Sequence, residues 1–460
     1  MKWADGRVAS YEYTPLRRLR EIQDWIGTTR MKYDGMGNLL EIEYPDKRTL
    51  SYIYDGVGNK VQMVYPDGKA VSYTYDALGR MKEIIQEEGA VSYSYDKYGN
   101  VSERTLPDGT AVRYQYDKNG ALSRMTYQDQ KGVLDEFTFG YDEMGRRNTY
   151  GLYRRDIPGE NGQYAYSYDG AGHLSQIRKN QQLLREYQYD SFGNRKSRTD
   201  FDLVTGQKKN TSYTYDLSGA LLKMVQGNQI QEFGYDQRGN LTEQRQNGKI
   251  LQKYQYDALN RLERAENARG EASTYAYNGL GYRIGMEILT GNEKQTVSYT
   301  LDYSRIYDNL VESTENQERE NYLWGLGLEG SRAASIAGWY LTDPLGSVLR
   351  KTEEGKTRYS ANYDEFGNVL SSYGEDCLGY NGFMYDKVAG TWFAQARQYR
   401  SNTGTFDGMD RFGGDITMPD TLNPYVYCLG DGFSHTDKSG YWCGVDDLIA
   451  AGLGAIGGAA

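Results

Sequence analysis

The dipeptide Tyr75-Asp76 puts a phenol beside a carboxylate, two groups able to hand a proton to a substrate. Three further residue types carry chemistry in this chain. His173 and His435 stand far apart, which gives little support to a histidine-based catalytic or metal site and fits two structural side chains. Cys377, Cys428 and Cys443 are too few and too widely spaced for a disulfide framework or a zinc site. No metal or cofactor is therefore expected.

The Tyr-Asp pair loses its catalytic reading once its copies are counted. It stands at Asp34, Asp55, Asp76, Asp96, Asp117, Asp142, Asp169, Asp190, Asp216, Asp236 and Asp257, each preceded by tyrosine, and Tyr277-Asn278 follows. Successive copies lie mostly 20 or 21 residues apart, and three longer intervals read as hairpin-loop insertions. A dozen identical active sites make no chemical sense, whereas a dozen identical structural units do.

Each unit can be built from its residues. Alternation such as Tyr73-x-Tyr75 sets aromatic rings on one face of a strand. The aspartate opens a four-residue turn in which its carboxylate accepts a backbone N–H two residues on. The glycine three residues later, as in Gly58-Asn59, Gly79-Arg80 and Gly99-Asn100, takes the left-handed conformation. A second strand follows, expected to alternate with Met81 and Glu83 on one face and Lys82 and Ile84 on the other. A second turn, often Pro-Asp-Gly as at Pro66-Asp67-Gly68 and Pro107-Asp108-Gly109, closes the unit. One hairpin is marginal in water, so the units must join into a continuous sheet that coils or closes to protect its edges.

Composition agrees. The chain has 460 residues with 45 tyrosines and 55 glycines against 11 phenylalanines and 8 prolines. Tyrosine suits a half-buried pleated surface and glycine suits turns, so the chain reads as all-β. A mean hydropathy of -0.78 would suit disorder, but the 13% aromatic content does not; tyrosine stands in the interior where leucine is usual. A net charge of -10 with no long Lys/Arg run argues against nucleic-acid binding. No signal peptide opens the chain and no apolar run is long enough to span a bilayer. The opening "ADGRVASYEYTPLRRLREI" already reads as a worn copy of the unit, so a fragment of a longer chain is expected, its N-terminal targeting region lying elsewhere.

The repeats over roughly residues 5–285 resemble the YD repeats of Rhs proteins, Tc-toxin C components and teneurins. Downstream, "DPLGSVLR" (343–350), "YDEFGNVL" (363–370), "GYNGFMYDKVAGTWFAQARQY" (379–399) and "NPYVYCLGDGFSHTDKSG" (423–440) resemble successive blocks of the Rhs-associated core domain. "AGTWFAQARQY" is most similar to Gram-positive versions. The resemblance implies a YD-repeat β-shell over 1–290 that spirals around a hollow interior, and divergent joining strands over 291–334. It further implies a core domain over 335–441 that plugs one end, and a variable toxin region beginning at 442–460. It also implies an autoprotease. By alignment of "GTFDGMDRF" and "DKSGY" with the family blocks, the catalytic carboxylates would be Asp410 and Asp437, with Arg397 of "AQARQY" beside them. The bond cut would be Tyr441–Trp442. Arg411, Lys438 and Tyr441 depart from the proline, proline and leucine usual at those places.

Two aspartates held close would share one proton, the ionised one activating water and the other protonating the leaving group. The bland alternative makes both of them turn residues. Residues 442–460, apolar and glycine-rich with Gly454-xxx-Gly458, read as the prelude to a toxin domain.

Two functions follow as expectations. The first is a secreted or cell-surface bacterial shell that encloses its own C-terminal toxin segment, with an immunity protein and secretion machinery as partners. The second is an adhesion module whose exposed tyrosine rows bind cell-surface carbohydrate. The first expects inward aromatics and the second outward ones.

Overall fold

The strands Ala70–Tyr75 and Met81–Gln86 form one such hairpin. Ser72, Tyr73 and Thr74 pair with Ile85, Ile84 and Glu83, but Tyr75 pairs with Met81, so Lys82 is an extra residue in a β-bulge. The bulge corrects the simple alternation: Met81 and the fully buried Ile84 both pack on the core, while Lys82 is exposed. Asp76 shapes the turn. Its Oδ1 accepts the N–H groups of Leu78 (2.9 Å) and Arg80 (3.0 Å), and its Oδ2 accepts Arg80 Nε at 2.7 Å. Gly79 sits at φ +76°, where a side chain would be strained.

The tyrosine of each pair has its own task. In most copies its hydroxyl donates to the carbonyl of the residue that opens the second strand of the preceding hairpin, whereas the buried hydroxyls of Tyr189 and Tyr256 have no hydrogen-bond partner among the described residues. Tyr33 reaches Leu19 O (2.8 Å), Tyr54 Leu39 O (2.9 Å), Tyr75 Lys60 O (2.8 Å), Tyr95 Met81 O (2.6 Å) and Tyr116 Val101 O (2.9 Å). Neighbouring units are thereby bolted together at the bulge, where the ladder of backbone hydrogen bonds is interrupted.

The computed structural model describes residues 1–441 except 4, 306, 308 and 335 and the side chain of 420. Within them a single antiparallel sheet of 34 strands meanders from Ser10 to Tyr373, each strand pairing with the next. Positions 290 and 291 fall at a hairpin turn of this sheet, and position 334 directly follows the strand Leu328–Ala333. A second sheet of four short strands follows, from Met384 to Phe406.

The long sheet winds back onto itself. Ile42, Leu50, Val71, Ile84 and Val91, all fully buried, share one core with Val311, Leu323, Trp339 and Leu341 from much later in the chain. Inward tyrosines complete the seam: Tyr44 donates to Leu301 O and Tyr65 to Tyr322 O, both at 2.7 Å across 257 residues. Tyr52 donates to the Asp302 carboxylate at 2.6 Å. The face turned away from this core carries charges such as Lys32 paired with Glu41 at 2.6 Å. Exposed tyrosine rows are not formed among the described residues; Tyr13, Tyr98, Tyr153 and Tyr373 stand singly.

Charge also enters the seam. Asp135, Arg154 and Arg350 are all fully buried. Arg350 grips Asp135 through Nη2 (2.8 Å) and Nε (3.0 Å), while Arg154 donates to Leu349 O and Ala361 O at 2.7 Å. Taking these ions out of water is costly, so the trio is stable only while each group keeps its partners.

Asp376 lies in a second such cluster, on the segment between the two sheets. Tyr340 donates to its oxygens at 2.9 and 3.1 Å, Lys351 Nζ stands 3.6 Å away, and Lys351 also pairs with Glu320 at 2.6 Å. Burial pushes the Asp376 carboxyl up to about 6, against the pull of Lys351 and with the help of Glu320.

The small sheet packs an aromatic cluster of Tyr380, Phe383, Trp392, Tyr399, Phe406 and Tyr427. Val388 and Ala389 set it against Tyr213, Phe233, Tyr254 and Tyr275 of the long sheet. Among the described residues no helix is long and apolar enough to cross a membrane.

Two predictions follow from the seam. Asp135→Asn leaves two buried guanidinium groups short of a counter-charge and should cost about 3–5 kcal/mol. Tyr65→Phe should cost about 1 kcal/mol through its orphaned carbonyl. Denaturant unfolding measures both, with exposed Tyr98→Phe as the unchanged control.

The second cluster predicts a pH dependence. The native state binds the Asp376 proton more readily than the unfolded chain does, whose carboxyl titrates near about 4. Its destabilising contribution is therefore complete above about pH 6 and gone below about pH 4. Asp376→Asn should raise the unfolding midpoint at pH 8 and not at pH 4; equal shifts at both would contradict the assignment.

Candidate functional site: two aspartates on one arginine

Arg397 opens the strand Arg397–Arg400, the third of the small sheet, which pairs with Thr391–Ala394 on one side and Thr405–Phe406 on the other. Its guanidinium carbon sits over the Phe406 ring, 3.6 Å from the centroid, while its nitrogens bond elsewhere. Nη2 stands 2.8 Å from Asp410 Oδ2 and 3.4 Å from Asp437 Oδ2. Nη1 donates to Pro424 O at 3.1 Å, and Nε donates to the carbonyl of Gly440.

The two aspartates arrive from different segments. Asp410 is fixed by its own N–H, which donates to Pro424 O at 3.0 Å, and its Oδ1 accepts Phe412 N at 2.8 Å. Asp437 opens a turn of the pattern Asp-x-x-Gly, the spacing found in ten of the eleven Tyr-Asp repeats. Its Oδ1 accepts Gly440 N (2.8 Å) and Ser439 Oγ (3.1 Å), and Oδ2 remains for the arginine. Gly440, at φ +70°, lies against Ala394 O so closely that a Cβ would come within 1.9 Å of it. No other residue fits there without moving the strand.

The electrostatics follow from burial. The side chains of Arg397, Asp410 and Asp437 are 10%, 12% and 2% exposed. Burial pushes both carboxyls up, with Arg397 opposing in each case and Asp410 adding to the rise at Asp437. Burial also pulls Arg397 below the usual guanidinium range, with the two aspartates opposing. Fully ionised, the trio would carry one net negative charge out of water, and uptake of a single proton removes it. A guanidinium stands between the two carboxylate oxygens.

The residues ahead of the expected cut are held in place. Ala396 N donates to Ser439 O at 3.2 Å, and Tyr441 N donates to Ser439 Oγ at 3.2 Å. Tyr441 itself is 44% exposed. Its ring faces the Arg411 guanidinium 6.0 Å from the centroid, and Arg411 also donates to Leu259 O at 2.9 Å. Two of the three departures from the family pattern thus meet each other. The third, Lys438, faces the Tyr307 ring at 5.9 Å. Trp442, Cys443 and the glycine-rich segment after them lie outside the described residues.

Sequence reasoning reached Arg397, Asp410 and Asp437, and the fold brings all three together. It missed Ser439, Gly440, Pro424 and Phe406. Gly440 was legible, because Asp437-x-x-Gly440 repeats the turn signature of the shell units. The histidines lie elsewhere: His173 takes the place of the turn asparagine, its Nδ1 3.0 Å from Asp169 Oδ2, and His435 stands 3.6 Å from Asp431. Among the described residues no group of three or more His, Cys, Asp or Glu side chains is arranged to hold a metal.

Comparison with known proteins bears on the fold. The model of the teneurin YD-shell family matches residues 1–134, 123–278 and 198–302. The tRNA3(Ser)-specific nuclease WapA of Bacillus spizizenii is 26% identical over 287 residues, covering 59% of this chain and 11% of that protein. The double-stranded DNA deaminase toxin A of Burkholderia cenocepacia is 25% identical over 326 residues, covering 60% of this chain and 22% of that protein. The chain thus spans about a tenth of the first relative's length and about a fifth of the second's. The crystal structure of TcdB2-TccC3 superposes over 94% of this chain and 26% of its own, with a TM-score of 0.76 at 14% identity. At that identity the likeness is one of fold.

Proposed function

We propose that this chain, which belongs to the teneurin YD-shell family, closes a toxin-carrying shell and cuts its own backbone between Tyr441 and Trp442. In this reading residues 1–290 are shell wall, 291–334 join it to the plug, 335–441 are the plug, and 442–460 begin the enclosed cargo. The relatives named as a nuclease and a deaminase toxin support the toxin-carrying role. Export to the cell surface or beyond, an immunity protein and the chain's own C-terminal segment as partner belong to the same reading.

One observation carries the cleavage proposal. The guanidinium that gathers Asp410 and Asp437 also holds the carbonyl of Gly440, the residue immediately before Tyr441. The pair is thereby tethered to the strand it would cut. Asp410, the more exposed carboxyl and the nearer to Arg397, is the ionised partner and takes a proton from water. The water oxygen bonds to the Tyr441 carbonyl carbon. Asp437, the more deeply buried, carries the proton that burial favours and gives it to the Trp442 nitrogen as the C–N bond breaks. Arg397 keeps the strand in register, and Arg411 steadies the Tyr441 ring. Tethering supplies a high effective concentration, and one turnover is all that is required.

Intact mass under denaturing conditions tests this. The wild type should lack residues 442–460, and Asp76→Asn, a turn aspartate of the wall, should be cut alike. Asp410→Asn and Asp437→Asn should both retain the segment. A folded wild type that stays whole, or cutting that survives both substitutions, would contradict the proposal.

A further inference from the structure

Lys351, Asp376 and Glu320 meet beside the joint between the two sheets. Lys351 lies on the strand Val348–Glu353 and Glu320 on Glu318–Trp324, while Asp376 follows the last strand of the long sheet, Val369–Tyr373. The side chains of Lys351 and Asp376 are 10% and 2% exposed. Lys351 Nζ stands 3.6 Å from Asp376 Oδ2 and 2.6 Å from Glu320 Oε1. We propose that Lys351 and Asp376 become joined by an amide bond, an internal cross-link that the folded chain makes for itself.

The surroundings supply what a condensation needs. Amine and carboxyl are held together by the fold, so no collision is required, and burial limits the water that favours the free acid. Gly338 makes room for the lysine stem: a Cβ there would come within 2.3 Å of Lys351 Cε. The two oxygens of Asp376 differ in their partners. Oδ1 accepts Leu378 N at 3.0 Å and the Tyr340 hydroxyl at 3.1 Å, two donors placed to hold negative charge on that atom. Oδ2 faces the amine and is the oxygen to leave. Glu320 is aimed in turn by Ser331 Oγ at 2.5 Å and the Tyr322 hydroxyl at 3.2 Å.

The step balances without a co-reactant. Glu320 takes one proton from the Lys351 ammonium, and the freed amine bonds to Cγ of the protonated Asp376 carboxyl. Oδ1 carries the charge of the tetrahedral intermediate between Leu378 N–H and Tyr340 O–H. A second proton moves from the nitrogen to Oδ2, the Cγ–Oδ2 bond breaks, and water leaves. The first proton departs through Glu320, the most exposed of the three side chains at 24%. Burial pulls the Lys351 amine down, but Asp376 and Glu320 outweigh it and hold the amine above the usual lysine range. Neutral amine is therefore scarce and the bond forms slowly after folding. The pH dependence of Asp376 given above belongs to the freshly folded, unlinked chain. Once made, the bond encloses the last two strands of the long sheet, Lys356–Tyr363 and Val369–Tyr373, the second exposed along its whole length. It clamps that open edge and pins the joint to the small sheet.

The test follows the full chain and its Asp437→Asn variant for a week after folding, by intact mass and by tandem mass spectrometry of tryptic digests. Both proteins should lose the mass of one water, whether or not the backbone is cut after Tyr441. The digest should yield a branched peptide that joins Lys351 to Asp376, with no tryptic cut after Lys351. A succinimide at an Asp-Gly pair such as Asp67-Gly68 loses the same mass but gives no branched peptide. Lys351→Arg should keep the full mass, and Glu320→Gln should slow the linkage about a hundredfold. The unfolding midpoint of the wild type should rise as the linkage accumulates and stay constant in Lys351→Arg. If Lys351→Arg does not fold, the wild-type digest decides alone. Absence of the branched peptide from folded wild type after that week makes the trio an ordinary ion pair and overturns the proposal. Linkage at an unchanged rate in Glu320→Gln overturns the role given to Glu320.

Discussion

Burying a tyrosine is costly unless its hydroxyl finds an acceptor, and at most positions this chain meets that condition with backbone carbonyls of its own neighbouring hairpins. Most Tyr-Asp tyrosines reach one hairpin back, as Tyr75 does to Lys60 O. Inward tyrosines reach across the seam, as Tyr44 and Tyr65 do. Phenylalanine in those places would bury as much apolar area and specify nothing about where the next wall must lie. The phenol makes burial conditional on geometry, so the sheet must coil until late strands present their carbonyls to early rings. The low mean hydropathy follows from the same device, because the interior is built of rings that each carry a polar atom.

The Asp-x-x-Gly turn is the second device, and the candidate site reuses it. In most repeats the aspartate spends one oxygen on turn N–H groups and the other on the Asn, Arg or His side chain four residues on, as Asp76 does with Arg80. At Asp437 the residue four on is Tyr441, which cannot fill that place. The second oxygen turns to Arg397 instead. A structural turn thereby becomes half of a charged site through the loss of one side-chain partner. The glycine, which the turn requires for its backbone, also lets the strand ahead of Tyr441 lie against Ala394.

How much of this was legible depended on range. The repeat, its two turns and the inward face of Tyr73 could be read from local pattern, since strand alternation and turn chemistry act within a few residues. The bulge at Lys82 could not, because the count of residues between Tyr75 and Gly79 does not show which one is extruded. Asp135, Arg154 and Arg350 read as surface charges within their strands; their burial comes from a contact across 215 residues that no local period encodes. Arg397, Asp410 and Asp437 were reached through a family resemblance. The meeting of Arg411 with Tyr441 was not, because two departures from a pattern look independent until the fold sets them side by side.

The wall is made of buried tyrosines, most of them with their hydroxyls satisfied, and ultraviolet titration of phenolate from pH 8 to 13 tests this most directly. Burial holds Tyr44, Tyr65, Tyr93, Tyr166 and Tyr187 well above the usual phenol range and pushes Tyr54, Tyr254 and Tyr359 up to about 12. The account predicts that a large class of the 45 tyrosines stays protonated far beyond pH 10 and ionises only as the far-UV β signal is lost. Reversible ionisation of all of them in one step near pH 10, with the β signal intact, would contradict it.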